Sequence, residues 1–135
     1  MTHSKLLTIL TVFYVLFYGA LLANFVVVNI SNPKKLYESE AFSLVSITNA
    51  LSVLVLLIRF LTTKHSLVFA ILGLVGGILV AAHHLLVMYG ATQSFGFFPM
   101  IFFGFGPINF IGLLLGLAIL YQSFYTLFRS RGLSG

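Results

Sequence analysis

Two adjacent histidines, His83 and His84, interrupt the apolar stretch ILVAAHHLLVMYG at residues 78–90. An imidazole can carry a proton, ligate a metal or a haem iron, or join two helices by a hydrogen bond. Met88 follows His84 by four residues, so a helix places its thioether on the same face as that imidazole. These three residues form the candidate cofactor site of the sequence.

Three cofactors suit such a pair. Bis-histidine haem b needs a second axial histidine at similar depth on a facing helix, but His3 and His65 lie at the predicted cytoplasmic edge of the membrane. A partner subunit or Met88 would have to complete that pair. Copper accepts imidazole and thioether ligands. The sequence offers it His83, His84, Met88 and Met100. A quinone is the least demanding ligand, since it needs only one histidine between apolar walls.

The string VAAHHLLV at residues 80–87 resembles the tandem-histidine segment of haem–copper oxidase catalytic subunits, in which adjacent histidines bind copper. The resemblance covers about eight residues of 135. That family has many more helices and further histidine ligands, which this sequence lacks. Neither its fold nor its copper site is therefore carried over to this chain.

The composition indicates which environment holds the histidines. Hydrophobic residues make up 60% of the chain and charged residues only 7%, whereas about a quarter of a soluble domain is charged. So few charged side chains cannot cover a surface that faces water, so we expect a bilayer protein of one domain. The sequence contains no cysteine, which excludes disulfides, thiol catalysis and zinc–thiolate sites.

Four apolar runs are long enough to cross a hydrocarbon core, which takes about 20 helical residues. They show no strand-like alternation, and a spanning backbone must satisfy its own hydrogen bonds, so helices are expected. The predicted fold is an all-α integral membrane protein, a single four-helix transmembrane domain over residues 1–135. Its spans are residues 6–30, 41–61, 67–89 and 108–128.

Basic residues predict the orientation, because they concentrate on the cytoplasmic side of a membrane. Two of them, Lys34 and Lys35, fall between the first and second spans. The others fall on the opposite side: Lys5, Arg59, Lys64, Arg129 and Arg131. A multi-pass protein of a cytoplasmic-type membrane with both termini in the cytoplasm is therefore expected. The basic residues form no patch, so no nucleic-acid partner is predicted.

The connector between the third and fourth spans, residues 90–106, reads GATQSFGFFPMIFFGFG and contains six phenylalanines and no charge. One interpretation is a segment in the headgroup region, where aromatic rings are favoured. The other is a contact surface for another membrane subunit, because exposed aromatic patches mark interfaces. The second interpretation predicts partner contacts at Phe97, Phe102 and Phe105.

Small residues at four-residue spacing occur on the third and fourth spans. Such residues let helix backbones approach closely, which drives helix association in lipid. We therefore expect these two spans to pack tightly, or to use the same faces against partner subunits. The residues are Gly73, Gly77 and Ala81 on the third span and Gly112 and Gly116 on the fourth.

His84 continues this small-residue face by helical spacing and should point toward a neighbouring helix. Asn24, Asn49 and Asn109 fall at a similar depth. Polar groups inside a membrane are costly without partners, so an inward-facing polar layer is expected. The structural interpretation is that the histidines join helices by hydrogen bonds, with no cofactor bound by this chain alone. The functional one is quinone, haem b or copper shared with a partner.

The sequence carries no motif for a self-contained enzyme. Its only carboxylates, Glu38 and Glu40, lie between the first two spans. The leading prediction is an accessory subunit of a larger energy-transducing complex of the respiratory oxidase, quinone-linked oxidoreductase or membrane monooxygenase type, in contact with lipid and with other integral subunits. One alternative is a redox-site subunit that binds its cofactor through His83 or His84. A free-standing homo-oligomer is the second.

Overall fold

A computed structural model describes residues 3–31, 44–96 and 106–134. They form four helices: α1 (His3–Ser31), α2 (Leu44–Leu61), α3 (Ser66–Phe95) and α4 (Gly106–Ser134). Only the turn at residues 62–65 and Gly96 are non-helical in this part of the chain. The predicted all-α, four-helix architecture is confirmed for these residues.

Helix α3 is longer than the predicted third span, residues 67–89. It continues to Phe95 and ends at Gly96, whose φ of 88° is open to glycine at little cost. The first six residues of the predicted connector are therefore helical, and α4 already begins at Gly106. The remainder of the connector lies outside the described residues, together with Phe97, Met100, Phe102 and Phe105.

Three of the helices are long and apolar enough to cross a membrane. Their spanning stretches are Lys5–Asn24, Ser66–Gln93 and Pro107–Arg129. The apolar part of α2, Ile47–Leu61, is shorter. At about 1.5 Å per residue the whole of α2 would measure about 27 Å, against a hydrocarbon core of about 30 Å.

The helices form a ring in which consecutive helices run antiparallel. Neighbouring pairs are α1–α2, α2–α3, α3–α4 and α4–α1, and the α3–α4 contact is the most extensive. Leu56, Val80 and Ile119 fill the centre. We call the end of the bundle that holds His3, the turn at 62–65 and Ser134 the terminus end. The exterior is apolar, with large side chains such as Phe13, Ile111 and Leu114 exposed.

Candidate functional site

The five small residues of α3 and α4 lie along the line where these helices meet. A Cβ placed on Gly77 would lie 2.9 Å from the carbonyl oxygen of Gly116, and one on Gly116 would lie 2.9 Å from the Ala81 nitrogen. Both distances are shorter than ordinary van der Waals contact, so the backbones approach too closely for any side chain. Near the terminus end, a Cβ on Gly73 would meet the Ser123 side chain.

Gly112 continues this line and makes room for His84. A Cβ at residue 112 would clash with the imidazole ring itself, with the ring Cδ2 2.5 Å away. Because Gly112 has no side chain, α4 has a notch at this position, and His84 of α3 fits into it. This notch explains how an imidazole that is 0% exposed fits between two closely packed helices.

Both ring nitrogens of His84 make hydrogen bonds to other helices. Nδ1 lies 2.8 Å from Asn109 Oδ1 on α4, and Nε2 lies 3.0 Å from the Tyr14 hydroxyl on α1. Because an amide oxygen only accepts, the network assigns the proton to Nδ1, and Nε2 accepts from Tyr14. His84 thus joins α1, α3 and α4 as a neutral imidazole.

His83 points toward α2. It is buried, and its Nδ1 lies 3.5 Å from Thr48 Oγ1, at the long limit of a hydrogen bond. Its ring packs edge-on against Tyr18 at 5.8 Å and against His84 at 4.9 Å between centroids. The two histidines therefore diverge into one polar and aromatic cluster that reaches all four helices.

The predicted asparagine layer is only partly present. Asn109 bonds His84, and Asn49 is half-buried, with an Oδ1 that makes no hydrogen bond to any described residue. The expectation for Asn24 is wrong: its side chain is exposed, away from the cluster. Tyr14 provides the α1 contact instead.

Sequence reasoning missed Tyr14, Tyr18 and Thr48. Thr11, Tyr14 and Tyr18 lie three to four residues apart, so a helix places them on one face. That spacing of hydroxyl groups is the signal that could have identified the inner face of α1. Thr11 and Tyr14 are indeed buried there.

To bind a metal ion, the cluster would have to lose hydrogen bonds that it already makes. Coordination through either nitrogen of His84 breaks the contact with Tyr14 or with Asn109. Met88 is buried one turn further along α3. No group of three or more histidine, cysteine or acidic residues comes together among the described residues. The arrangement suits hydrogen bonding between helices.

A cavity of about 470 Å³ opens between α1 and α4 beside this cluster. Its lining is almost wholly apolar and includes Phe13, Phe17 and Ile111, together with Tyr14 and Tyr18. Tyr14 and Gly112 lie on its wall, and His84 lies behind them. Tyr14 and Gly112 therefore separate the cavity from His84.

A second polar cluster lies near the terminus end and centres on Arg59. The positive-inside pattern predicts a flanking charge at this residue, but its side chain is only 4% exposed. Nη2 donates to Gln122 Oε1 at 3.2 Å, and the guanidinium lies 4.0 Å from the centroid of the Phe69 ring. Arg59 therefore joins α2, α3 and α4 in the way that His84 joins α1, α3 and α4.

Comparison with protein-family models, with characterised proteins and with solved structures finds no match for this chain. The geometry of the two clusters and of the helix surfaces is therefore what supports a function.

Proposed function

We propose that the protein is an accessory subunit of a larger integral membrane complex, of the energy-transducing kind that the sequence predicts. The observation that supports this role is the bonding of His84. Both of its nitrogens are used to hold α1, α3 and α4 together, so the most chemically capable side chain of the chain acts as a structural joint.

The apolar exterior also favours this role. Large apolar side chains are exposed on all four helices, among them Leu16, Leu54, Leu67 and Leu114. Such surfaces need lipid or other membrane proteins around them. The turn that joins α2 and α3 is short, at residues 62–65. A chain built in this way offers much surface for lateral contact and little for chemistry of its own.

The role includes a topology of four spans with both termini in the cytoplasm. The even number of antiparallel helices and the basic residues at the terminus end support it. The chain has no cysteine, so Leu36→Cys and a cysteine added after Gly135 can each be labelled alone in intact cells. Opposite accessibility is expected, and labelling of both from the same side would refute the topology.

Site-specific photo-crosslinking in native membranes tests the subunit role. In four separate variants, a photoreactive residue replaces Phe102 in the connector, Leu16 of α1, Leu67 of α3 or Leu114 of α4. Lys64 in the turn serves as the control position. At least one of the four positions, and not Lys64, should give a discrete adduct that mass spectrometry identifies as another integral membrane protein. Adducts only with lipid would refute the proposal, and adducts only with a second copy would favour the homo-oligomer.

The cavity of about 470 Å³ favours one second candidate, a quinone-binding subunit. Tyr14 lines this cavity and also bonds His84, so its hydroxyl offers a polar anchor between apolar walls. Quinone extraction, a visible absorption spectrum and metal analysis of the purified complex distinguish the two roles. If the wild type shows a stoichiometric quinone, a Soret band or copper that is lost in His83→Ala or His84→Ala, the histidines bind a cofactor and the structural role is wrong. Unchanged spectra with weakened assembly would support it.

A further inference from the structure

Arg59 is a buried cation whose charge has no acidic partner among the described residues. The two carboxylates of the sequence, Glu38 and Glu40, precede α2, whereas Arg59 lies in its last turn, about 22 Å along the helix from Leu44. A buried charge without an opposite charge is unfavourable. The terminus end of the bundle therefore carries a positive field that favours an anion.

The hydrogen bonds of this cluster are also incomplete. Arg59 Nε and Ser123 Oγ are buried, and neither makes a hydrogen bond to a described residue. Both face the bare backbone of Gly73, where a Cβ would lie 3.1 Å from Nε. Arg59 does donate a hydrogen bond to the side-chain oxygen Oε1 of Gln122, and this bond orients the Gln122 amide.

Gln122 borders a second cavity between α1 and α4. This cavity has a volume of about 620 Å³ and mostly apolar walls, formed by leucines of α1 and by α4 residues such as Ala118 and Tyr121. That volume lies within the range of about 300–1,000 Å³ that is typical of small-molecule sites. Tyr125 and Thr126 line its end nearest the terminus. The cavity is thus an apolar groove with a polar edge that is tied to Arg59.

One exposed cation, Arg129, extends the polar end of this groove. Arg129 follows Tyr125 and Thr126 by four and three residues, so helical spacing places it on the same face. Arg129 is exposed. Long basic side chains at a helix end reach toward the headgroup region. An apolar groove with a cationic mouth is complementary to a molecule with an apolar tail and an anionic head.

We propose that this groove binds an anionic phospholipid of the leaflet at the terminus end. The acyl chain lies between α1 and α4, and the phosphate lies at the mouth, near Gln122 and Arg129, in the field of Arg59. Anionic lipids are abundant in the cytoplasmic leaflet, where the proposed topology puts this end. The site rests on this proposed topology but not on contact with other subunits, since it needs only the bilayer.

Native mass spectrometry of the full chain in mild detergent tests the site, with phosphatidylglycerol and phosphatidylcholine of identical acyl chains as probes. The wild type should retain phosphatidylglycerol at least about 10-fold better than phosphatidylcholine. Arg129→Gln should reduce this preference several-fold. Lys64→Gln removes an exposed cation from the α2–α3 turn, away from the groove, and should keep the preference.

Ala118→Leu adds bulk to an exposed wall position of the groove and should abolish retention of either lipid while leaving the chain folded. Equal retention of the two lipids by the wild type, or equal losses in Lys64→Gln and Arg129→Gln, would overturn the proposal. Thermal stabilisation by inorganic phosphate alone that matches that by phosphatidylglycerol would identify a free anion as the ligand instead. A dimer that Ala118→Leu disrupts would assign the groove to a second copy, which also overturns it.

Discussion

Helix α4 packs against its two neighbours in opposite ways. Against α3 its backbone is in direct contact, and at Gly77 even a methyl group would come within 2.9 Å of the Gly116 carbonyl oxygen. Against α1 it leaves cavities of about 470 and 620 Å³ between large side chains. One face of α4 is therefore closed and the other is open along much of its length.

The difference shows what holds each contact together in an apolar medium. Apolar burial does not drive helix association in lipid, so close backbone packing or polar contacts must do so. The α3–α4 pair uses the glycines. Helix α1 has no such surface, and the hydrogen bond from Tyr14 to His84 gives it a polar link to the rest of the bundle. We therefore expect α1 to be the more weakly held helix.

Gly77→Leu should have the largest effect, because it acts on the closed face. Its Cβ would lie 2.7 Å from Leu120 Cγ and 3.0 Å from the Leu120 nitrogen, and the backbone cannot move aside alone. We expect destabilisation at or above the upper end of the ~1–3 kcal/mol that overpacking costs. The measurement is the fraction of monodisperse protein after heating, by size-exclusion chromatography. Gly90→Leu is the matched control, since nothing lies within 4 Å of its Cβ. Equal stability of the two variants would mean that the glycines are merely permissive.

Gly112→Ala should have the next largest effect, because the methyl group takes the place of the His84 ring. The displaced imidazole would lose its bonds to Asn109 and Tyr14, so a loss of about 2 kcal/mol is expected. The readout is unfolding in a detergent titration followed by circular dichroism. Gly19→Ala is the control, since its Cβ would meet only Val53 at 3.9 Å. The notch would be disproved by a Gly112→Ala protein as stable as this control.

Tyr14→Phe should weaken the open face without disturbing the closed one. It leaves the buried Nε2 of His84 without its donor, which costs about 1 kcal/mol. Spin labels on Leu16→Cys of α1 and Leu85→Cys of α3 should report a broader distance distribution, whereas labels on Leu85→Cys and Leu114→Cys should not. Tyr89→Phe, at an exposed tyrosine of α3, serves as the control. An unchanged distance between α1 and α3 would show that α1 is held by something else.

Gly76→Ala, at the α2–α3 contact, should have the smallest effect. Its methyl group would meet the end of the flexible Leu56 side chain at 3.0 Å. A shift of that side chain costs roughly 1 kcal/mol, and the replacement of a helical glycine gains about as much. A change within about 0.5 kcal/mol is expected in the detergent titration. A loss as large as that of Gly112→Ala would mean that α2 is packed as rigidly as α4.

The sequence by itself predicted a membrane environment and determined the helical class and the faces of α3 and α4. Charge content is a property of composition, and helix formation follows because an apolar medium leaves the backbone no other partner. The glycine spacing is local as well, so Gly77, Gly112 and Gly116 could be assigned to one face before any contact was known. The ends of the helices were harder to predict from the sequence. Helix α3 extends to Phe95 because nothing before Gly96 stops it.

Only the tertiary structure decided which polar groups meet. Helix α1 is largely apolar, and the spacing of its hydroxyl groups indicates only an inner face, so the sequence did not show that Tyr14 meets His84 while Asn24 faces outward. In the sequence, Arg59 was counted among the basic residues that predict the membrane orientation. A basic residue near a helix end can be either exposed or buried, and the sequence does not distinguish the two. Its burial against Phe69 and Gln122 depends on residues from two other helices. Such partners are distant in the chain, and only the packing of the helices brings them within hydrogen-bonding distance.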